Sequence, residues 1–223
     1  MEVENELMVR GIVVGVFQEN CWVIGSRKTG EAICIDPGDQ PDEILALARD
    51  MGVNIKYIAN SHAHVDHILG VAGVHAETGA KFLLHESDLE LLRTGWQGSA
   101  EKFGFDVNSP PPDPTAFVTE GDIVEVAGVR LRAIETPGHT PGSLSYYADE
   151  GMLFSGDTLF RGSIGRTDFP GGDFEQEMSS ICEKLLELPD NTAVLPGHMQ
   201  ETSIGAERGG NPFIRDWLAK RDA

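Results

Sequence analysis

The chain is poor in cysteine and in basic side chains. Its three cysteines, Cys21, Cys34 and Cys182, are too few and too odd in number for a disulfide framework, which points to a reducing compartment. Lys plus Arg number 17 against 36 for Asp plus Glu, a formal charge of −19. That balance argues against a nucleic-acid partner, because phosphate binding needs a basic field, and against docking on an anionic membrane surface. No run approaches the roughly 18 apolar residues that span a bilayer. The opening residues, Met-Glu-Val-Glu-Asn-Glu, are acidic where a secretory leader is basic. Internal repeats and low-complexity tracts are also missing. The expectation is a cytoplasmic protein with no nucleic-acid and no membrane partner. With 40% hydrophobic residues, residues 1–223 read as one domain with a sizeable core.

Short apolar strands fill the first third, at residues 7–17, 21–24 and 32–35, the last two joined by a Gly/Ser/Thr-rich turn as in a hairpin. Pro41 opens a helical pattern with Ile44, Leu45, Leu47 and Ala48 inside, and Gly52 ends it. A strand at 55–59, a helix near 67–78, a strand at 81–84 and a helix near 87–93 follow. Residues 95–114 hold four prolines and the aromatics Trp96, Phe103 and Phe105 with little periodicity, and read as an active-site lid. Strands then recur at 116–119, 123–126, 129–135, 143–148 and 151–155. Asp173 caps a helix over 173–188 whose inner stripe is Phe174, Met178, Ile181, Leu185 and Leu188. A strand at 192–195 and a short C-terminal helix close the chain. Two similar βα halves predict an α/β sandwich of sheets flanked by helices.

The strongest signal is Ser-His-Ala-His-Val-Asp-His at 61–67, between an apolar strand and a helix. His62 and His64, two residues apart, share one side of an extended segment and can chelate one ion. Asp66 and His67, where the chain turns into the helix, reach a second. Imidazole and carboxylate suit zinc first, with iron and manganese as competitors. More ligands must come from elsewhere. Thr-Pro-Gly-His at 136–139, Ser-Gly-Asp at 155–157 and Leu-Pro-Gly-His at 195–198 each follow an apolar strand and place glycine before a ligand-type residue. Glycine there lets the backbone turn sharply beside a site.

His62, His64, Asp66 and His67, followed in order by His139, Asp157 and His198, resemble the metallo-β-lactamase superfamily of hydrolases. The resemblance implies a four-layer αββα sandwich with two divalent metal ions. His62, His64 and His139 would bind the first ion; Asp66, His67 and His198 would bind the second, and Asp157 would bridge them. Gly-Asp-Thr-Leu-Phe at 156–160 and Gly-Arg-Thr-Asp-Phe-Pro-Gly-Gly at 165–172 resemble the glyoxalase II branch and the related persulfide dioxygenases. Glu-Thr-Ser-Ile-Gly-Ala-Glu-Arg at 201–208 with Asn-Pro-Phe at 211–213 resembles the short glyoxalase-II-like enzymes. Only 25 residues follow His198, so the helical domain that helps hold glutathione in full-length relatives is absent from this sequence. Met199 and Gln200 stand where Gly-Pro often follows the last ligand.

The implied reaction is thioester hydrolysis, most simply of an S-acylglutathione, by a hydroxide shared between the ions, with Asp66 as the catalytic residue orienting it. These motifs offer no separate general acid, which suits a thiolate leaving group better than an amine. Arg166 matches the family's basic residue for glutathione, and a structural pair with Asp168 is the competing reading. A mono-iron persulfide dioxygenase sharing His62, His139 and Asp157 as ligands, and a lactonase on the same ion pair, are the alternatives. His75, His85 and the cysteines read as structural.

Overall fold

The computed structural model describes residues 7–96, 98, 102, 110–126 and 128–221. Strand β1 (Leu7–Val14) and β2 (Glu19–Ser26) form a hairpin paired from Leu7↔Ser26 to Val14↔Glu19. Strand β3 (Glu31–Ile35) pairs antiparallel with β2, as the hairpin expectation had it. Helix α1 (Pro41–Met51) starts on its proline, buries Ile44, Leu45, Leu47 and Ala48, and stops where Gly52 turns left-handed at φ 71°. It carries the chain across to β4 (Asn54–Ala59), which runs parallel to β3. Strands β5 (Lys81–Leu84) and β6 (Ala116–Phe117) extend the sheet in the order β1-β2-β3-β4-β5-β6.

The second half builds a second six-stranded sheet. It contains β7 (Ile123–Val126), β8 (Val129–Glu135), β9 (Leu144–Ala148), β10 (Met152–Gly156), β13 (Ala193–Pro196) and β14 (Thr202–Ser203), in the order β14-β13-β10-β9-β8-β7. Between β10 and β13 lies a two-stranded ribbon of β11 (Leu159–Phe160) and β12 (Ser163–Ile164).

Alternation along these strands sends one set of side chains inward and the other outward. Ile24, Ile33 and Ile35 of the first sheet meet Leu131, Leu144, Tyr146, Phe154 and Leu195 of the second in a shared interior. The outer face of the first sheet packs on α1 and α3 (Val71–Thr78). That of the second packs on α4 (Phe174–Glu183), α5 (Ile204–Gly210) and α6 (Pro212–Arg221). Helix, sheet, sheet, helix is the predicted αββα order. Each Ile, Leu or Phe fully buried contributes about 1.5–3 kcal/mol.

Several helices differ from the sequence expectation. The pattern near 67–78 is split into α2 (Val65–Ile68) and α3, because Gly70 is held against the 37–39 loop. Its N–H donates to the Pro37 carbonyl at 2.9 Å, and a Cβ there would lie 2.7 Å from that oxygen. The helix near 87–93 is a 3₁₀ turn at Glu86–Asp88 followed by a π turn at Leu91–Gly95. Asp173 does cap α4, accepting from the Gln176 N–H at 3.0 Å. The helix nevertheless ends at Glu183 and tightens to 3₁₀ at Leu185–Glu187. Phe174 is not on the inner stripe: it is exposed and lies edge-on to Trp217, ring centroids 6.0 Å apart. The C-terminal helix is two helices, α5 and α6. Trp96 packs half-buried against the outer core of the first sheet. Most of the lid expected at 95–114, with Phe103 and Phe105, lies outside the described residues.

Candidate metal centre

Every side chain of the site hangs from the end of a strand. His62, His64, Asp66 and His67 follow β4, His139 follows β8, Asp157 follows β10 and His198 follows β13. Two glycines make the convergence sterically feasible. Gly138, at φ 146°, passes so close to α4 that a Cβ would sit 2.3 Å from Glu177 Cα. A Cβ on Gly197 would sit 2.5 Å from Asp157 Oδ1 and 2.8 Å from the His67 ring. Any other residue at either place would push ligands apart.

All seven sequence-predicted ligands meet. His62, His64 and His139 form one cluster, and Asp66, His67 and His198 a second, with the donor atoms of each within 4.8 Å of one another. In the first, His64 Nδ1 and His139 Nε2 are 2.8 Å apart. In the second, His198 Nε2 lies 3.2 Å from Asp66 Oδ2. Asp157 stands between them: Oδ1 is 3.4 Å from His67 Nε2, while Oδ2 is 3.6 Å from both His139 Nε2 and His198 Nε2.

Hydrogen bonds on the far side of three rings fix which nitrogen keeps its lone pair. His139 Nδ1 donates to the Arg166 carbonyl at 2.7 Å, and His67 Nδ1 donates to Asp36 Oδ2 at 3.1 Å. Ser61 Oγ donates to Asp36 Oδ2 at 2.6 Å and so accepts from His62 Nδ1 at 2.9 Å. In all three rings Nε2 is therefore the nitrogen that faces the centre and would ligate with the ring in its neutral form. Among the described residues, His62 Nε2, His67 Nε2 and Asp157 Oδ1 are buried and have no hydrogen-bond partner. Leaving such a group unsatisfied costs about 1–3 kcal/mol, and three of them facing one space is a cost that a cation removes. The residues fit divalent metal ions.

The two clusters differ electrically. Burial holds His62 well below the usual imidazole range, reinforced by the neighbouring His67, His139 and His64. Burial and His139 push His64 down to about 3. For His67 and His198 burial acts in the same downward sense but is outweighed. Asp157 and Asp36 raise His67, and Asp66 and Asp157 raise His198. Burial opposes the charge on Asp157 and Asp66, yet His67 and His198 hold both carboxyls below their ordinary values.

Arg166 is exposed and forms a two-pronged bond to Asp168, at 2.9 and 2.7 Å, with its guanidinium 4.2 Å above the Phe169 ring. Phe169 in turn lies edge-on to His64, 5.5 Å between centroids. His75 and His85 serve local structure, as expected. His75 Nδ1 bonds the Ala80 carbonyl, while His85 Nδ1 accepts from the Ser87 N–H and caps its 3₁₀ turn. The cysteines are free, and Cys21 and Cys34 are buried.

Sequence reasoning missed four buried acids around this centre. Asp36 anchors Ser61 and His67. Glu19 Oε1 lies 4.0 Å from His67 Nδ1, and burial raises its carboxyl well above the ordinary range. Glu177 is buried on α4 beneath Gly138. Asp88 accepts from the N–H groups of Ala63 and Gly142 and from the Thr140 hydroxyl, tying the first histidine loop to the second. One signal was available: Asp36-Pro37-Gly38 after apolar β3 is built like the Pro-Gly strand ends that carry ligands.

Comparison with known proteins places this geometry. Residues 14–198 match the family model described as the metallo-beta-lactamase superfamily. The chain is 35% identical over 205 residues to hydroxyacylglutathione hydrolase GloC of Haemophilus influenzae, covering 91% of this chain and 96% of the relative. Among solved structures, BLEG-1 B3 metallo-beta-lactamase superposes with a TM-score of 0.86 at 33% identity, covering 93% of this chain and 99% of that one. TTHA1623, solved in a di-iron-bound form, gives 0.82 at 36% identity, covering 92% and 99%.

Proposed function

The chain belongs to the metallo-beta-lactamase superfamily of metal-dependent hydrolases, and we propose that its reaction is hydrolysis of a thioester, an S-acylglutathione, on two divalent ions. The observation that carries this reading is Asp157 standing between two complete triads, within 3.6 Å of nitrogens from both. His62, His64 and His139 would hold one ion, Asp66, His67 and His198 the other, and Asp157 both. Zinc is the proposed metal, with iron as its competitor given the di-iron relative. Such ions supply Lewis acidity, polarising a carbonyl and bringing the pKa of water from 15.7 toward ~7.

The protein's own groups do the rest. Asp66, held ionised beside His198, accepts a hydrogen bond from the attacking water and orients it. A thiol of pKa near ~8.5 leaves as thiolate without prior protonation, so a thioester asks for no general acid. Arg166 is the proposed contact for a glutathione carboxylate, exchanging Asp168 for the substrate along the Phe169 edge that leads to His64. The resemblance to GloC supports glutathione as the carrier. Three free thiols, two of them buried, support a cytoplasmic setting.

The test is turnover and metal content on one metal-loaded sample. Two ions per chain with hydrolysis of S-lactoylglutathione upholds the reading. One iron per chain with oxygen uptake on glutathione persulfide replaces it with dioxygenase chemistry. Hydrolysis of a homoserine lactone or of a chromogenic cephalosporin, without thioester turnover, moves the reaction to a lactonase or β-lactamase.

A further inference from the structure

A groove of about 460 Å³ lies between the β1–β2 hairpin and the segment that begins immediately after His198. Gly11, Val13 and Trp22 form one wall, Met199 and Glu201 the other, and Asn20 joins them. Gly11 lies directly opposite Trp22, and its missing Cβ, which would sit 2.7 Å from the indole, leaves the groove wall flat. Asn20 Nδ2 donates to the carbonyls of Pro196 at 3.1 Å and Met199 at 2.9 Å, and Trp22 Nε1 donates to Pro196 at 3.2 Å. These bonds clamp the His198 segment to the hairpin and fix the width of the groove beside the ligand.

Two side chains here are unexplained by folding. Met199 is held at φ 67°, a conformation that side chains rarely adopt, with 58% of its surface exposed. Val13 is 59% exposed on the facing strand. An apolar side chain that is both backbone-strained and turned to solvent gains nothing for stability, and such outliers gather at functional sites. The one ionisable lining group is Glu201, which repels carboxylates, whereas Arg166 stacks on Phe169, the ring neighbour of His64 in the other cluster.

We propose that this groove receives the apolar acyl chain of the substrate, so that Met199 and Val13 set the preference for acyl length. The assignment rests on the thioesterase reading and extends it. The anionic carrier extends toward Arg166, the carbonyl sits at the centre, and the acyl chain runs past His198 into the groove.

The experiment uses the metal-loaded full chain and S-alkylglutathiones from methyl to hexyl, thioethers that are not hydrolysed, with binding read by calorimetry. Affinity should rise roughly fourfold per methylene, the ratio that about 0.8 kcal/mol gives. Met199→Gly relieves the backbone and so does not threaten folding; it should flatten the gradient to less than about twofold per methylene. Val13→Asp, at an exposed edge-strand position, should weaken the hexyl compound about tenfold more than the methyl one. Val16→Ser, at the hairpin tip outside the groove, should keep the original gradient. A flat gradient in the unaltered protein, or one untouched by both groove variants, overturns the assignment even if S-lactoylglutathione is hydrolysed. A steep, variant-sensitive gradient in a protein that hydrolyses no thioester upholds the groove and removes the thioesterase reading instead.

Discussion

The two halves of the centre solve one problem in opposite ways. His62, His64 and His139 form an all-imidazole cluster in which His62 and His64 are biased toward the neutral state. Asp66, His67 and His198 form a mixed cluster in which carboxylates favour protonated rings. The first is ready to ligate as folded. The second holds protons where a cation would sit and must release them to ligate. The difference teaches that symmetry of ligand number hides an asymmetry of charge.

The largest effect should come from removing the side chain that links the halves. Asp157→Ala leaves His67, His139 and His198 without their shared carboxylate, and kcat/KM should fall by more than about 100-fold, with metal analysis showing less than two ions per chain. Asp36→Asn removes the acceptor that aligns His67 directly and His62 through Ser61. Metal affinity should drop about 10- to 100-fold, measured by competition with a chromogenic chelator.

Acid titration sharpens the comparison itself. His64, pushed down to about 3, stays neutral in the folded protein while the unfolded chain protonates near ~6.5. Metal-free stability is therefore lost as pH falls below that value, by about 1.4 kcal/mol per pH unit. His64→Ala should reduce that slope in urea titrations between pH ~6.5 and ~5, leaving the share contributed by His62. For His198, raised by Asp66, the sign is reversed: its stabilisation is complete below ~6.5 and disappears as pH rises through the folded value. His198→Ala should lower metal-free stability by a constant amount below pH ~6.5, leave the acid slope unchanged, and remove the decline seen as pH rises above that value. With metal added at limiting concentration, the mixed cluster should empty first on acidification, and stoichiometry should fall toward one. The smallest effect belongs to Arg166→Ala. Its pair with Asp168 is exposed and screened by solvent, so stability should hardly move, while KM for a glutathione thioester rises several-fold at constant kcat.

How much of this was legible in the sequence depended on distance along the chain. The 61–67 segment announces itself because its residues are neighbours, and His139, Asp157 and His198 share a strand-then-glycine context that can be recognised locally. Strand and helix positions followed from apolar periodicity and from Pro41 and Gly52. Asp36, Glu19 and Glu177 were hidden because each acts on a residue far away in sequence. An acid within an apolar pattern looks the same whether it faces water or a histidine. The splitting of the helix near 67–78 was hidden for the same reason, since it depends on Gly70 meeting Pro37 from another loop. The outward turn of Phe174 depends on Trp217, contributed by the last helix.

One carboxylate, Asp36, braces a ring in each triad: His67 by its own oxygen and His62 by way of the Ser61 hydroxyl. On the proposed two-ion reading, loading would therefore not be independent: the first ion would stiffen the shared brace and pre-align a ring for the second, and occupancy should climb more steeply than two separate isotherms would allow.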